Sequence, residues 1–203
     1  VTTSEWSKEF KDIEDKNSEP MYYENLPFRF DTRGIIYNKR AHVYKVNIQT
    51  KKFTKIIDGD ANNIISISSL VEGKKGIVLS FDQYNLKGTM LEEKIGAIEG
   101  SKIKEIYSKG SMGNLFYYED CLHGVGMRKR FDWPTNTSVL KISSSGKVSF
   151  KYPSFDRNVV KAKVYEGILY FLYEDSGKTL LRDGTNNIAV SYTHLTLPTK
   201  VEV

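Results

Sequence analysis

The stretch LPFRFDTRGIIYNKRAHVYKVNIQTKKFTKIIDGD, residues 26–60, decides the predicted fold. Residues 41–48 alternate between apolar and polar side chains with the two-residue period of a β-strand. A polar turn follows at residues 50–52, and the alternation resumes over residues 53–57. Two such runs joined by a short polar turn predict an antiparallel β-hairpin.

The same hairpin recurs downstream, which predicts a repeat protein. The aligned positions of its first strand are Val43, Ile95, Val139 and, more loosely, Leu180, spaced by 52, 44 and 41 residues. The aligned positions of its second strand are Phe53, Ile103 and Val148. Strand-built repeats of roughly 40 to 50 residues are typical of propeller blades, each a four-stranded sheet. The sequence therefore predicts an all-β chain forming a partial β-propeller, with about three to four blades of four-stranded antiparallel sheet.

Further hairpins are predicted between the aligned ones. Residues 159–165 and 168–173, joined by Glu166 and Gly167, give the clearest of these. Residues 64–67 and 76–81 are joined across residues 72–75, where Gly73 is expected to supply a positive φ. The turns of the repeated hairpin fall at residues 50–52, 100–102 and 145–147.

Composition and charge restrict the class of protein and its partners. The chain has 203 residues, of which 39% are hydrophobic and 12% aromatic, enough for one domain with a substantial core. The net charge of +5 comes from scattered lysines and not from a basic stripe, so we expect no nucleic-acid partner. No apolar run approaches the roughly 20 residues that cross a bilayer, and Val1 does not open a signal peptide, so we expect no membrane partner. A single cysteine, Cys121, excludes an internal disulfide and is compatible with the cytoplasm, where we expect the protein to act.

The two ends stand apart from residues 21–189, which are the predicted propeller domain. Residues 1–20 are predicted to be either a connector or a short helix, because Thr2 and Glu5 have the spacing of a capping box. Apolar residues follow at helical intervals, at Trp6, Phe10 and Ile13. Residues 190–203 begin VSYTHLTLPT, which is similar to the translation of a sequencing adapter, so we predict a non-native tail there and exclude it from functional argument.

Three segments near the start of the domain carry a family resemblance. They are Phe28-Arg29-Phe30-Asp31 with Gly34, then Lys39-Arg40-Ala41-His42-Val43-Tyr44, and finally Asp58-Gly59-Asp60. This order of segments resembles the prolyl oligopeptidase family of serine peptidases, in particular its acylaminoacyl-peptidase-type branch. Family propeller turns often read Trp-Ser-Pro-Asp-Gly-Lys, whereas this chain keeps only the Gly-Lys ending at Gly73-Lys74.

The resemblance implies a function for the parent protein. In the family, a β-propeller covers an α/β-hydrolase domain that carries a Ser-Asp-His triad, and it admits short peptides while excluding folded proteins. This chain would then be the substrate-gating propeller portion of a serine peptidase. Its partners would be short peptide substrates and an α/β-hydrolase domain missing from this chain. One alternative is a non-catalytic propeller that binds a ligand or a protein, and a third is a glycan-binding or glycan-cleaving propeller.

Catalytic motifs are absent from the sequence. No G-x-S-x-G elbow occurs, and Ser111, directly after Gly110, is predicted to lie in a turn. Outside the tail the histidines are His42 and His123; His42 lies on an alternating strand, where a structural role is expected. Cys121 and His123 supply only half of a tetrahedral metal site. We therefore predict no catalytic, cofactor-binding or metal-ligating residue.

Two other patterns have a structural and a functional interpretation. Gly-Lys pairs occur at Gly73, Gly146 and Gly177. A phosphate loop requires another glycine five residues earlier, but the residues at those positions are Ser68, Lys141 and Leu172. All three pairs are therefore predicted to be turns. Glu92 and Glu93 are adjacent carboxylates that would suit the free amine of a peptide, although a solvated loop is the expectation.

Overall fold

The computed structural model describes residues 2–6, 22–30, 34–36, 39–74, 76–129, 135–143 and 145–192. Within these ranges the chain forms seventeen β-strands. The strands are β1 (Thr2–Trp6), β2 (Arg29–Phe30), β3 (Gly34–Ile35), β4 (Lys39–Val46), β5 (Phe53–Ile57), β6 (Ser66–Gly73), β7 (Gly76–Tyr84), β8 (Leu91–Glu99), β9 (Lys102–Tyr107), β10 (Ser111–Tyr118), β11 (Cys121–Met127), β12 (Ser138–Ile142), β13 (Val148–Phe150), β14 (Asn158–Tyr165), β15 (Ile168–Asp175), β16 (Lys178–Arg182) and β17 (Asn187–Tyr192). None of the described segments is a helix with the length and apolarity that crossing a lipid bilayer requires.

The strands form successive antiparallel sheets in chain order. The first sheet has the strand order β1-β4-β5, and β2 pairs with β3 in a separate ribbon. The second, third and fourth sheets are four-stranded, with the orders β6-β7-β8-β9, β10-β11-β12-β13 and β14-β15-β16-β17. Each four-stranded sheet is a meander of neighbouring strands, as in a propeller blade. The predicted all-β fold and partial β-propeller are confirmed.

The positions of the predicted repeat lie on the last two strands, in chain order, of each of the first three sheets, and in the fourth sheet Leu180 lies on the third strand. Val43, Ile95, Val139 and Leu180 lie on β4, β8, β12 and β16, and Phe53, Ile103 and Val148 lie on β5, β9 and β13. The predicted turns carry residues with left-handed backbone, at Lys51 (φ 55°), Gly100 (φ 64°) and Gly146 (φ 77°). The hairpin of β14 and β15 is also confirmed, with Glu166 and Gly167 both at positive φ.

The turn between β6 and β7 differs from the expectation. Gly76, with φ 111°, takes the left-handed conformation there, and the prediction that Gly73 would do so is wrong. Gly73 is required for another reason, because a Cβ at this position would lie 2.2 Å from Cε2 of Tyr117 in the next sheet. The glycine thus permits close packing between two sheets.

Of the two alternatives for residues 1–20, a connector or a short helix, the structure forms no helix at the residues that it describes there. Residues Thr2–Trp6 form β1, which pairs with β4 from Thr2 opposite Val43 to Trp6 opposite Lys39. Pairing with a distant strand therefore overrides the local capping-box spacing. Phe10 and Ile13 lie outside the described residues.

The predicted boundary after residue 189 falls inside β17. This strand completes the fourth sheet, with Val190 opposite Leu180 and Tyr192 opposite Lys178. Residues 193–203 lie outside the described part of the chain. The assignment of residues 190–203 to a non-native tail stays a prediction.

The hydrophobic core lies in layers between successive sheets. The layer between the first and second sheets contains the buried residues Ala41, Val43, Ile57, Ile64, Leu79 and Phe81. The layer between the second and third sheets contains Val78, Ile95, Tyr107, Met112, Leu115, Leu122, Leu140 and Ile142. The layer between the third and fourth sheets contains Phe116, Val125, Val139, Val159, Ala162, Leu169, Phe171 and Tyr173. Burial of apolar area in these face-to-face layers stabilises the stack of sheets.

Candidate functional site

The first strands of the three four-stranded sheets lie side by side. Strand β6 contacts β10, and β10 contacts β14. Propeller blades surround a central channel. Neighbouring blades approach each other most closely at the strands that lie nearest to this channel. We therefore call β6, β10 and β14 the inner wall.

Each strand of the inner wall has an irregularity at a similar position. The register with the second strand shifts between Ile67 and Ser69 in β6, between Gly113 and Phe116 in β10, and between Val159 and Lys161 in β14. Such β-bulges interrupt the ladder and redirect the local backbone. The polar groups that link one sheet to the next lie at these interruptions.

Two inter-sheet hydrogen bonds repeat along the inner wall. The backbone N–H of Leu115 in β10 donates to Oγ of Ser69 in β6 at 2.8 Å. One sheet further on, the backbone N–H of Ala162 in β14 donates to Oδ1 of Asn114 in β10 at 2.6 Å. In each bond, a side-chain oxygen of one sheet accepts from a backbone N–H beside the bulge of the next sheet. Neighbouring sheets are therefore joined by the same type of hydrogen bond.

A carboxylate bridges the second and third sheets beside the inner wall. Glu93 in β8 accepts hydrogen bonds from Oγ of Ser80 at 2.8 Å, from Oγ of Ser111 at 2.6 Å and from the N–H of Met112 at 2.8 Å. Ser68 extends the network by donating from its Oγ to Oγ of Ser80 at 3.0 Å. Because hydrogen bonds to an ionised acceptor are strong, this network fixes the start of β10 against the second sheet.

A second carboxylate lies next to this network. Asp82 in β7 stands opposite Glu93 in the strand register, and its Oδ2 accepts a hydrogen bond from Oγ of Ser66. Ser66 and Ser80 are both buried, with 7% and 0% of their surface exposed. The junction of the second and third sheets is therefore polar and acidic, in contrast to the apolar layer beside it.

The arrangement can bind and orient groups but has no nucleophile–base pair. The Ser111 hydroxyl donates to Glu93, a carboxylate and not an imidazole. A catalytic serine needs a base that accepts its proton near neutral pH, and histidine is the usual one. Within the described ranges, the hydrogen bonds of the two histidines are to Gly59 and to the backbone of Cys121, and not to Ser111.

His42 connects β4 to the loop after β5. Its ring is 1% exposed, and its Nδ1 accepts a hydrogen bond from the N–H of Gly59 at 3.0 Å. Gly59 is required because a Cβ there would lie 2.2 Å from the carbonyl oxygen of Ala41. His42 thus holds the loop against β4, which is a structural role.

The carboxylates of the same loop bring possible metal ligands close to His42. Ligand atoms of His42, Asp58 and Asp60 all lie within 4.8 Å of one another. Partial burial of Asp58 opposes its ionisation, but hydrogen bonds from the Asp60 N–H and the Lys55 ammonium outweigh it and hold its pKa below the ordinary value. Nδ1 of His42 lies 3.5 Å from Oδ1 of Asp58 and already accepts from Gly59, so a metal bound at Nδ1 would have to displace that hydrogen bond.

His123 is enclosed in the third sheet. It is fully buried, and its Nδ1 lies 3.0 Å from the carbonyl oxygen of Cys121. A carbonyl can only accept, so the proton is assigned to Nδ1. The ring stacks on Phe116 with centroids 5.7 Å apart and meets the edge of Tyr118. Burial lowers the pKa of His123, and its hydrogen bond is to the Cys121 backbone and not to the thiol.

Two sequence interpretations need correction. Glu92 and Glu93 lie within β8, not in a solvated loop, and adjacent strand residues face opposite sides of the sheet, so the two carboxylates do not form a pair. Ser111 begins strand β10, so its predicted place in a turn is also wrong. The Gly-Lys pairs lie at hairpin ends, as predicted, with Gly146 and Gly177 at positive φ.

The carboxylate network was not found by sequence reasoning. One signal points to it: Ser80 interrupts the apolar run of β7 between Leu79 and Phe81, and all three residues are buried. A buried hydroxyl in such a run requires a polar partner. Which carboxylate supplies that partner depends on the sheet register.

Comparison with known proteins gives a match of fold only. No protein-family model matches the chain, and no curated protein matches its sequence. Among solved structures, the chain is similar to an acylaminoacyl peptidase from Pyrococcus horikoshii, with a TM-score of 0.63 and 14% identity. The match covers 93% of this chain, which spans only 29% of that peptidase chain. The likeness supports the β-propeller-like class of this chain.

Proposed function

We propose that this chain is the substrate-gating propeller portion of a serine peptidase that hydrolyses short peptides. The catalytic α/β-hydrolase domain would belong to another part of the same protein, and the protein would act in the cytoplasm. The observation that carries the proposal is the fold likeness to an acylaminoacyl peptidase over 93% of the chain. The resemblance of residues 28–60 points to the same family, but no family model matches the chain.

The geometry gives a physical reason for part of that resemblance. His42 belongs to the second resembling segment and Gly59 to the third, and their hydrogen bond joins the two segments. Around the first segment, Tyr23 stacks on Phe28 with centroids 4.2 Å apart, and the Tyr84 hydroxyl donates to the carbonyl of Pro27 at 2.8 Å. The described residues of these segments therefore build the first sheet and its surroundings.

A gating role agrees with the chemistry of the inner wall. The described side chains there form hydrogen bonds between sheets, which makes the wall rigid, and they include no nucleophile activated by an imidazole. A rigid wall around a channel selects by size, because a folded protein cannot enter while an extended short peptide can. The chain thus contributes access and orientation, and cleavage depends on the other domain.

A direct test compares this chain with the full-length protein. Both are incubated with acetylated alanyl p-nitroanilide and with short acetylated peptides. We expect the 203-residue chain to be inactive and the full-length protein to release p-nitroaniline. A serine-directed fluorophosphonate should abolish that activity. Serine-dependent hydrolysis by this chain alone, or an inactive full-length protein, would contradict the proposal.

A further inference from the structure

A cleft opens between the outer parts of the second and third sheets. It has a volume of about 460 Å³ and lies between β9, the segment after it, and the turn that joins β12 to β13. Its floor includes Ile106, Tyr107 and Val148. The turn approaches β9 closely, since a Cβ on Gly146 would lie 2.8 Å from the carbonyl oxygen of Ile106. The volume is within the range of small-molecule sites.

The lining of this cleft is strongly basic. Among the described residues its charged side chains are Lys109, Arg128, Lys129 and Lys147 and one carboxylate, that of Glu105. We call these five residues and the space between them the basic cleft. Its four cations come from the segments that follow β9 and β11 and from the turn before β13. The fold thus brings together charges that are far apart in sequence.

The single carboxylate does not offset these cations. Glu105 accepts a hydrogen bond from Oγ of Ser108 at 2.6 Å and lies 3.2 Å from Nζ of Lys94. The hydrogen bond from Ser108 and the charge of Lys94 outweigh partial burial and hold the pKa of Glu105 below its ordinary value. Glu105 is therefore ionised and paired with Lys94, a residue that does not line the cleft. Among the described lining residues, the formal net charge of the basic cleft is therefore positive.

Arg128 is held across the basic cleft by both sheets. The Tyr107 hydroxyl, from β9, donates to the carbonyl oxygen of Arg128. The guanidinium carbon lies 5.2 Å from the ring centroid of Phe150, on β13. Within the described ranges, the Arg128 guanidinium forms no ion pair with a carboxylate. The guanidinium of an arginine that stacks on an aromatic ring presents planar N–H donors that match the geometry of phosphate and carboxylate groups.

We propose that the basic cleft binds a small multivalent oxyanion, a molecule that bears phosphate or carboxylate groups. Arg128 supplies directed hydrogen bonds, and Lys109 and Lys147 supply charge. No carboxylate among the described residues forms an ion pair with either lysine. A bounded cleft with an apolar floor suits a small molecule better than a nucleic acid, which would need an extended basic stripe. This site lies outside the inner wall and goes beyond the proposed gating function.

The test is isothermal titration calorimetry of the 203-residue chain with pyrophosphate and, separately, with citrate at low ionic strength. We expect saturable binding of at least one anion at one site. Lys109→Glu and Lys147→Glu should each weaken it by about tenfold or more, the loss of a charged hydrogen bond. The milder variant Lys147→Gln should weaken it in the same direction. Lys161→Glu, on the exposed surface of β14, is the matched control for charge and should leave affinity within about twofold.

The two anions distinguish the sources of the ligand. Binding of pyrophosphate alone assigns a phosphate-bearing ligand, and binding of citrate alone assigns a polycarboxylate. The proposal is overturned if neither anion binds by about 1 mM, or if Lys161→Glu weakens binding as much as Lys147→Glu. Saturable binding of a single-stranded oligothymidylate without binding of either small anion would also overturn it. Circular dichroism of every variant checks that its fold is retained.

Discussion

Buried and half-buried polar side chains tie distant segments of this chain together. His42 and Glu93 are each anchored by specific donors on another segment, Gly59 for the first and Ser111 with Met112 for the second. A buried donor that loses its acceptor costs more free energy than the hydrogen bond itself contributes. Loss of either side chain should therefore destabilise the packing between the segments that it joins.

Replacement of Glu93 tests the bridge between the second and third sheets. Glu93→Gln puts an amide donor where three donors converge, so we expect the free energy of unfolding to fall by about 2 kcal/mol. Urea denaturation measures the change. Glu92→Gln is the matched control, since it lies on the other face of β8, and should change stability by less than about 0.5 kcal/mol. Equal effects of the two substitutions would show that the bridge does not stabilise the fold.

Replacement of His42 tests its hold on the loop after β5. His42→Ala removes the acceptor for the Gly59 N–H and leaves a cavity, so we expect a loss of about 2–4 kcal/mol in the free energy of unfolding. His42→Asn keeps a side-chain oxygen near the Nδ1 position and should lose less. The comparison is made by urea denaturation. If the two variants were equally stable, the hydrogen bond to Gly59 would not matter.

The buried His123 predicts a dependence of stability on pH. Burial lowers its pKa in the folded state, aided by Lys151 and Lys141 and opposed by the Cys121 carbonyl and Glu119. At a pH below the ordinary pKa of 6.5, the unfolded chain therefore binds more protons than the folded chain. The free energy of unfolding falls as the pH decreases through this range. We expect the melting temperature to drop between pH 7.5 and 5.5 by less in His123→Phe than in the parent chain. An equal drop in both would contradict the assignment.

At the scale of elements, the bulged first strands join one sheet to the next. Asn114→Ala removes the acceptor for the Ala162 N–H, and we expect faster hydrogen exchange of that amide and a loss of about 1 kcal/mol in stability. Asn114→Asp keeps a side-chain acceptor and should retain most of the protection. Amide exchange followed by NMR reports both. Unchanged protection of Ala162 in Asn114→Ala would show that the link is not needed.

Strand alternation and turn composition predicted the elements whose pairing is local. The hairpins of β4 with β5 and of β14 with β15 could be located because each is closed by a short polar turn. Strand β1 could not, since its partner β4 lies more than 30 residues away and local spacing pointed to a helix. The bridge at Glu93 was missed for the same reason. Two of its three donors, Ser111 and Met112, come from another sheet, and no local sequence pattern predicts that they lie next to Glu93.

At the scale of the whole molecule, the sheets and the apolar layers between them follow a regular order. Each layer is built from two successive sheets, and each junction described at the inner wall carries a polar link. This order is that of adjacent propeller blades, and the chain spans 29% of the peptidase that it is similar to. The proposed function therefore depends on whether the same gene also encodes an α/β-hydrolase domain.

The most direct measurement is the DNA sequence of the gene beyond the codon for Ala189, read from a library prepared without transposase adapters. The proposed function predicts a reading frame that continues through further blades into a G-x-S-x-G element, with an aspartate and a histidine after it. A stop codon soon after a completed propeller would contradict the peptidase proposal. The protein would then be a non-catalytic propeller that binds a ligand or another protein.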